Sequence, residues 1–598
     1  MKRYLAVLLI ILAVFACYAP ALKDGFVWDD TALVLRDPLI RSWRLIPEGF
    51  NHFLFVDATA SDFYRPIQRL TYTLEYAAFA FRATPYHFTS IIFHAAAALA
   101  FFFFAEELLG FFEVEPKKRR IIAFFAALVW AIHPAHNAAV VYISGRADSL
   151  AALFGFVGLY LILRSRRLSG ASSLVLWTAA AAALLLSALS RETGLMFPLI
   201  ALALFALQRN WSALAKTAVA AVFVAAVYLS LRLAAEHVSP PALRPAPPLF
   251  VRPILIARAV AEYAGLIVFP LNLHMERDIN IDPGSFTPAS WTAAALRELQ
   301  TLLGLVLIAA LVYWAIRAWK RNRPVFTALV LAAISYLPVS GIFALNASVA
   351  EHWVYVPSAF LFLAAIVQFA AAGAWQRSTI ILVRVAFALW LAFLGMRTFV
   401  RAFDWKDQRT FVERTIKAGG DSARMLINLG ELDLNEGKLQ DAAVHLHAAL
   451  QKQPDQPFAI VDLAAVALKQ NDFKLARQLL VRGTDMPAVA AHAHELLAVL
   501  EFKEKNRIDV LRLRLASRSG LPTWSIEKRY VAALDATGAT DRAITELKTC
   551  LATEWYRAES WQLLGELLAK TGHRVESAEA LARASAYDVH LNSHGSSS

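Results

Sequence analysis

The residues best suited to chemistry are two adjacent carboxylates, Asp29 and Asp30, in the stretch Gly25-Phe-Val-Trp-Asp-Asp30. They come a few residues after an apolar segment, 1–20, so they lie close to a membrane surface. A carboxylate placed there can take a proton from a hydroxyl. A polar loop then runs to Tyr64, Arg65 and Pro66, followed by Gln68 and Arg69. Other polar clusters come later: His133 and His136, Ser144 with Arg146 and Asp148, and Arg191 with Glu192. His274, Glu276, Arg277 and Asp278 form another, and Glu351 with His352 the last. A guanidinium binds a phosphate through two parallel N–H donors, so Arg65, Arg146, Arg191 and Arg277, with His352, are the candidates for steadying a leaving phosphate. Between the two carboxylates the reading favours Asp30. In an extended loop Trp28 and Asp30 alternate onto one side, which sets an aromatic beside the base.

Each cluster also has a plainer reading. Asp29 and Asp30 can cap a loop helix or be solvated. Arg146 and Asp148 are close enough to pair at a helix start. Arg191 and Glu192 can form an interfacial pair. His133 and His136 have a metal-like spacing, but Pro134 stands between them and no acidic third ligand is local, so no metal site is assigned. Asn346-Ala-Ser348 matches a glycosylation acceptor and is given no role.

The elements that must carry these residues follow from the apolar pattern. The chain has 598 residues, 58% of them hydrophobic, and a mean hydropathy of +0.48. That is a polytopic membrane protein, not a soluble one. The net charge of +12 does not indicate nucleic acid, because many basic residues sit in short loops between apolar segments and no basic-aromatic motif is present. The cysteines are Cys17 and Cys550, in different regions, which excludes a disulfide framework or a Cys-based metal site.

Segment 1–20 reads as a retained first helix with a cytoplasmic N-terminus. Further spans are expected near 88–105, 121–136, 148–163, 173–189, 194–208, 212–233, 299–317, 324–343, 355–373 and 378–398, about eleven in all. Lys117–Arg120, Arg164 to Arg167, Arg209 with Lys216, and Arg317 to Arg323 then fall in alternate, cytoplasmic loops. The stretch 251–270 carries Arg258 and Glu262 and reads as an interfacial or re-entrant helix. The polar clusters share the opposite, outer face, and an odd span count puts the C-terminal region there too.

Residues 423–585 carry an internal repeat. Leu429-Gly430, Ala442, Leu446, Ala449 and Pro454 stand at tetratricopeptide offsets, with helices starting near 423 and 438. Small residues allow the close helix crossing, and the Pro ends the second helix. The pattern recurs from 457, near 524–552 and from 558, with a degenerate helical stretch at 488–520. The expected organisation is a membrane region at 1–402, a linker or docking segment at 403–422, repeats at 423–590 and a disordered tail at 591–598. The fold class is all-α, a polytopic helical domain followed by an α-solenoid.

In order and spacing, the motifs resemble the transmembrane and tetratricopeptide-repeat O-mannosyltransferases, as a bacterial-type relative. The pieces are Gly25 to Asp30, Asp37-Pro38, Tyr64-Arg-Pro66, Tyr86-His87 with His94, and His133-Pro-Ala-His136. Ile143 to Asp148, Arg191-Glu-Thr-Gly194, Pro270 to Leu273, Glu351 to Ser358 and Trp405-Lys-Asp407 complete the set. The resemblance implies a GT-C membrane fold and transfer of a sugar from a polyprenyl-phosphate carrier on the non-cytoplasmic face. It implies that the first-loop acid, Asp29 or Asp30, is catalytic. Arg65, Arg146, Asp148, Arg191, Glu192, Arg277 and His352 are expected on the donor side. Trp28, Tyr64, His133, His136 and Glu351 are expected to support the loop or the acceptor. The family's Glu two residues after the second His is Ala138 here.

The function expected is therefore a glycosyltransferase acting on a protein Ser/Thr or an envelope glycan. The donor is the lipid-linked sugar, with no cofactor assigned and no support for a divalent metal. Partners are the polyprenyl-phosphate sugar, membrane lipid and the acceptor, gathered by the repeats; nucleic acid is excluded. The placement is an integral membrane protein, as in a bacterial inner membrane, with the repeats periplasmic. The rivals are a non-enzymatic tetratricopeptide scaffold for envelope assembly and a transporter or flippase. A scaffold would need the repeats but not Asp29 and Asp30; a transporter would favour charges buried mid-span.

Overall fold

The computed structural model describes all residues except 58–60, 237–247, 278, 280–289, 344–346, 372–376, 521 and 592–598, and leaves out the side chains of 290, 293 and 377. Asp278, Asn346 and nearly all of the tail expected at 591–598 lie outside the described residues. The described residues are helical with no named strand, only the isolated bridges His52–Glu236 and Arg277–Val349.

Each expected span is a helix. Eight are long and apolar enough to cross a membrane: Arg3–Lys23, Ala83–Phe111, Ile143–Ser165, Gly170–Ser190, Trp211–Ala234, Ala294–Arg321, Glu351–Ala371 and Ser378–Trp405. A ninth is a pair, Pro116–Ala131 and Pro134–Val140, bent by 56°. The bend falls at Pro134, which cannot continue an α-helical ladder. The remaining two, Glu192–Leu207 and Arg323–Val339, are shorter apolar helices. Large apolar side chains such as Leu302, Val306, Leu382 and Leu389 point outward, as lipid contact requires. The chain is an integral membrane protein. Helix Arg252–Val268 is not among the apolar spans and packs on Ala294–Arg321, where a Cβ added at Gly304 would meet the Ala257 carbonyl oxygen at 1.8 Å.

Charge sorts the two ends of the bundle. At one end Glu106 pairs with Arg3 at 3.2 Å and Arg120 at 3.1 Å, Arg167 pairs with Glu107, and Arg166 lies over the Phe111 ring at 4.2 Å. The other end holds the loop from Asp24 to Asp57. Its anchor is Arg69, which pairs with buried Asp37 at 3.0 Å and donates to the Gly49, His52 and Phe53 carbonyls at 2.8, 3.0 and 2.7 Å. Pro66 begins the helix that carries Arg69, as suits a residue without an N–H.

Helices Ala423–Asn435 and Leu439–Lys452 form the first repeat pair, close to their expected starts. A Cβ on Gly430 would meet the Leu446 side chain at 2.8 Å, the contact that requires a small residue. The degenerate stretch is itself a pair, Ala490–Lys505 and Val510–Arg518. Pairs follow at 457–484, 524–553 and 558–587.

The solenoid meets the membrane region at both of its ends. At the first, Trp405 is fully buried and stacks on Tyr142, with ring centroids at 5.0 Å. At the far end Tyr76 donates to Asp588 at 2.8 Å, the Val589 N–H donates to the Arg41 carbonyl at 3.1 Å, and Arg557 reaches Asp57 at 3.4 Å. Leu39, Leu45 and Tyr556 share a small apolar cluster there.

Candidate active site

The loop carrying the two carboxylates is not extended. Trp28 sits at φ 51°, the left-handed region, and Asp30 is helical at φ −59°, ψ −32°, opening the π-helical turn Thr31–Arg36. The alternation that favoured Asp30 therefore does not hold. Asp30 is fully buried, and its carboxylate accepts from the Ser144 N–H at 2.7 Å, the Ser144 hydroxyl at 2.6 Å and the Val27 N–H at 3.2 Å. Burial pushes the carboxyl up to about 7, against those three bonds, and the charge of Asp29 adds to the rise. Gly145 allows this clamp: an added Cβ would lie 1.9 Å from the Ala138 carbonyl oxygen.

Asp29 is partly exposed. Burial still raises its carboxyl, opposed by a hydrogen bond from the Tyr142 hydroxyl and by the charges of Arg424 and Arg65. Arg65 pairs with Glu192 at 3.0 Å, and Glu192 also accepts from the Tyr64 N–H at 2.9 Å. Arg191 pairs with Asp148, which also feels Arg65 and Glu192. His352 lies within electrostatic reach of Arg191 and Arg65, and its buried Nδ1 has no hydrogen-bond partner among the described residues. Asp29, Arg65, Asp148, Arg191, Glu192 and His352 thus form one cluster, drawn from the first loop and the starts of four other helical elements. Two guanidiniums, each steadied by a carboxylate, face one another, and one of them, Arg65, bears on Asp29. That arrangement can hold a phosphate and remove a proton beside it.

Other expected site residues are placed elsewhere. Arg146 pairs not with Asp148 but with Glu75, and its remaining donors go to Thr71 at 3.0 Å, Ser90 at 3.2 Å and the Tyr86 carbonyl at 2.7 Å. Every nitrogen is engaged inside the fold, so none is left for a phosphate. His133 contacts the Ile267 carbonyl at 3.0 Å, and His136 the Trp130 carbonyl at 2.8 Å and Ser358 at 3.1 Å; both are fully buried. The Tyr64 hydroxyl donates to the Phe50 carbonyl at 2.9 Å. Arg277 and Glu351 belong to a neighbouring network with Glu262 and Arg401. Sequence reasoning missed Tyr142 and Arg424 and gave Ser144 no role. An aromatic, a half-exposed cation and a lone serine carry no spacing signal of their own.

The tetratricopeptide-repeat family profile matches residues 433–500. A protein O-mannosyl-transferase of Caenorhabditis elegans is 25% identical over 453 residues, 73% of this chain and 61% of its own length. Protein O-mannosyl-transferase TMTC3 of Homo sapiens is 23% identical over 511 residues, 79% of this chain and 54% of its own. This chain resembles the protein O-mannosyl-transferases. It spans little more than half the length of these relatives. Among solved structures, yeast Tom70 is 13% identical at a TM-score of 0.27, over 83% of this chain and 97% of that one; at that score the likeness carries no weight.

Ala138 stands where the resemblance led to the expectation of a Glu. Ala138 is fully buried, and its carbonyl faces the Gly145 backbone. A Glu side chain there would be enclosed. Among the described residues no three His, Cys, Asp or Glu side chains stand together as metal ligands.

Proposed function

We propose that this chain is a membrane glycosyltransferase that moves a sugar, mannose by analogy with its relatives' names, from a polyprenyl-phosphate carrier to a Ser or Thr hydroxyl of an acceptor protein. The observation that carries this reading is Asp29, a partly exposed residue whose carboxylate feels Arg65 of the Arg65–Glu192 pair, which in turn faces the Arg191–Asp148 pair. Asp29 takes the acceptor hydroxyl's proton as that oxygen attacks the anomeric carbon. The bond from that carbon to the phosphate oxygen breaks, its electron pair leaves with the polyprenyl phosphate, and the configuration inverts. Arg65 and Arg191 offset the charge growing on the phosphate. Glu192 and Asp148 hold those guanidiniums in place. Asp30 shapes the loop.

The reading puts this site on the non-cytoplasmic face, because the opposite end of the bundle collects the basic loops. It takes residues 1–402 as the transferase region, 403–422 as the docking segment and 423–590 as the repeats that present the acceptor. The test is transfer in detergent from a polyprenyl-phosphate mannose to a Ser/Thr-containing peptide, followed by intact mass. A gain of one hexose is expected, and its loss in Asp29→Asn. A well-folded protein that transfers no sugar from any such donor would leave the scaffold reading standing.

A further inference from the structure

The loop bearing Asp29 is held from above by residues that follow the last membrane helix. The Gly25 N–H donates to the Lys406 carbonyl at 2.9 Å, and the Trp28 N–H donates to Gln408 at 2.6 Å. The Trp28 ring meets Phe411 at 5.1 Å. Trp28 needs such holding, because a bulky side chain at positive φ is strained. On the same ring lies Arg424, in the first turn of the first repeat helix, its guanidinium 4.9 Å from the ring centroid. Arg424 also bonds Glu276 through Nε at 2.6 Å.

We propose that Arg424, a residue of the repeat array, is a positioning residue of the transfer site, pinning Trp28 and presenting its charge to Asp29. The inference rests on the reading of Asp29 as the base. Stability alone does not account for the arrangement. The Arg424 side chain is 53% exposed, and exposed ion pairs contribute little to stability. Its reach is what distinguishes it: one side chain touches Glu276 in the loop after Arg252–Val268, covers Trp28 in the first loop and bears on Asp29. A cation near a carboxylate favours its ionised form, so Arg424 keeps the base available against its burial. The first repeat therefore completes the site.

The full chain is tested in detergent as Arg424→Gln, which keeps a hydrogen-bonding end on a shorter, uncharged side chain, and as Arg424→Lys, which keeps charge. For Arg424→Gln, kcat should fall at least about tenfold, the scale of a misplaced catalytic group, with the donor KM unchanged. The rising limb of the pH–rate profile should move to higher pH, because a carboxylate losing a nearby cation ionises later. Arg424→Lys should restore the limb. A structural clip would lower Tm without moving it. Wild-type kcat and an unmoved limb in a folded Arg424→Gln overturn the inference, while Asp29→Asn stays inactive if the underlying reading is sound. If Asp29→Asn is active, that reading falls first. Should Arg424→Gln fail to fold, Glu276→Gln decides: it frees Arg424, so kcat should drop severalfold, and an unchanged kcat overturns the inference.

Discussion

Asp30 accepts both the N–H and the hydroxyl of Ser144, at 2.7 and 2.6 Å, across 114 positions of sequence. The contact ties the first loop to the start of helix Ile143–Ser165. Removing one bond to a buried carboxylate costs about 1–3 kcal/mol. Ser144→Ala should lower the thermal midpoint of the detergent-solubilised protein and reduce transfer only in proportion. Transfer abolished at full stability would move the catalytic role to Asp30.

Asp29 should behave in the opposite way. Burial disfavours its charge, so Asp29→Asn, which removes that charge, should leave the midpoint at neutral pH unchanged or slightly higher. Transfer should fall by about a hundredfold or more, the scale of general-base loss. Wild-type turnover would refute the first-loop site.

The two carboxyls give separable pH effects. Both are raised, Asp30 from 3.8 to about 7. A raised acid holds its proton more tightly folded than unfolded, so its contribution to stability is present at low pH and lost as pH rises from about 4 to about 7. The midpoint should fall across that window, and Asp30→Asn should flatten the fall. Activity should run the other way, since the Asp29 base must be ionised, and its rising limb should lie above the ordinary carboxylate range. Parallel stability and rate scans from pH 4 to 8 would check both.

Arg146 and Glu75 form a buried pair that sequence spacing did not suggest. Breaking a buried pair by removing one partner costs about 3–5 kcal/mol, while replacing both with apolar groups costs far less. Arg146→Met alone should sharply reduce the yield of folded protein, and Arg146→Met with Glu75→Met should recover most of it. A stable but inactive single variant would return Arg146 to the donor site.

The far end of the solenoid depends on Asp57, which accepts from the Trp524 N–H at 2.9 Å and contacts Arg557 at 3.4 Å. Asp57→Asn keeps the first bond and discards the charge. Limited proteolysis should cut the repeats several times faster in Asp57→Asn combined with Tyr76→Phe, which loses the Asp588 contact, than in either single variant. An unchanged digestion rate would mean that the far contact does not hold the array.

What the sequence determined alone was everything with a period or a length. Apolar runs of fixed minimum length became helices in the expected order, and the small residues of the repeats, Gly430 against Leu446 among them, fell where two helices cross. The degenerate stretch at 488–520 hid its helix pair because its period was blurred, not because its helices were absent. Partners of charged side chains were beyond reach, since no period links Arg146 to Glu75 or Arg191 to Asp148. Nor could neighbouring acids of one type be told apart. Asp29 and Asp30 differ only because Trp28 turns through a left-handed conformation, rotating one carboxylate onto Ser144 and leaving the other toward Arg65 and Arg424. Tertiary structure alone settles that, because contacts brought in by residues 142–144, 405–411 and 424 hold the turn.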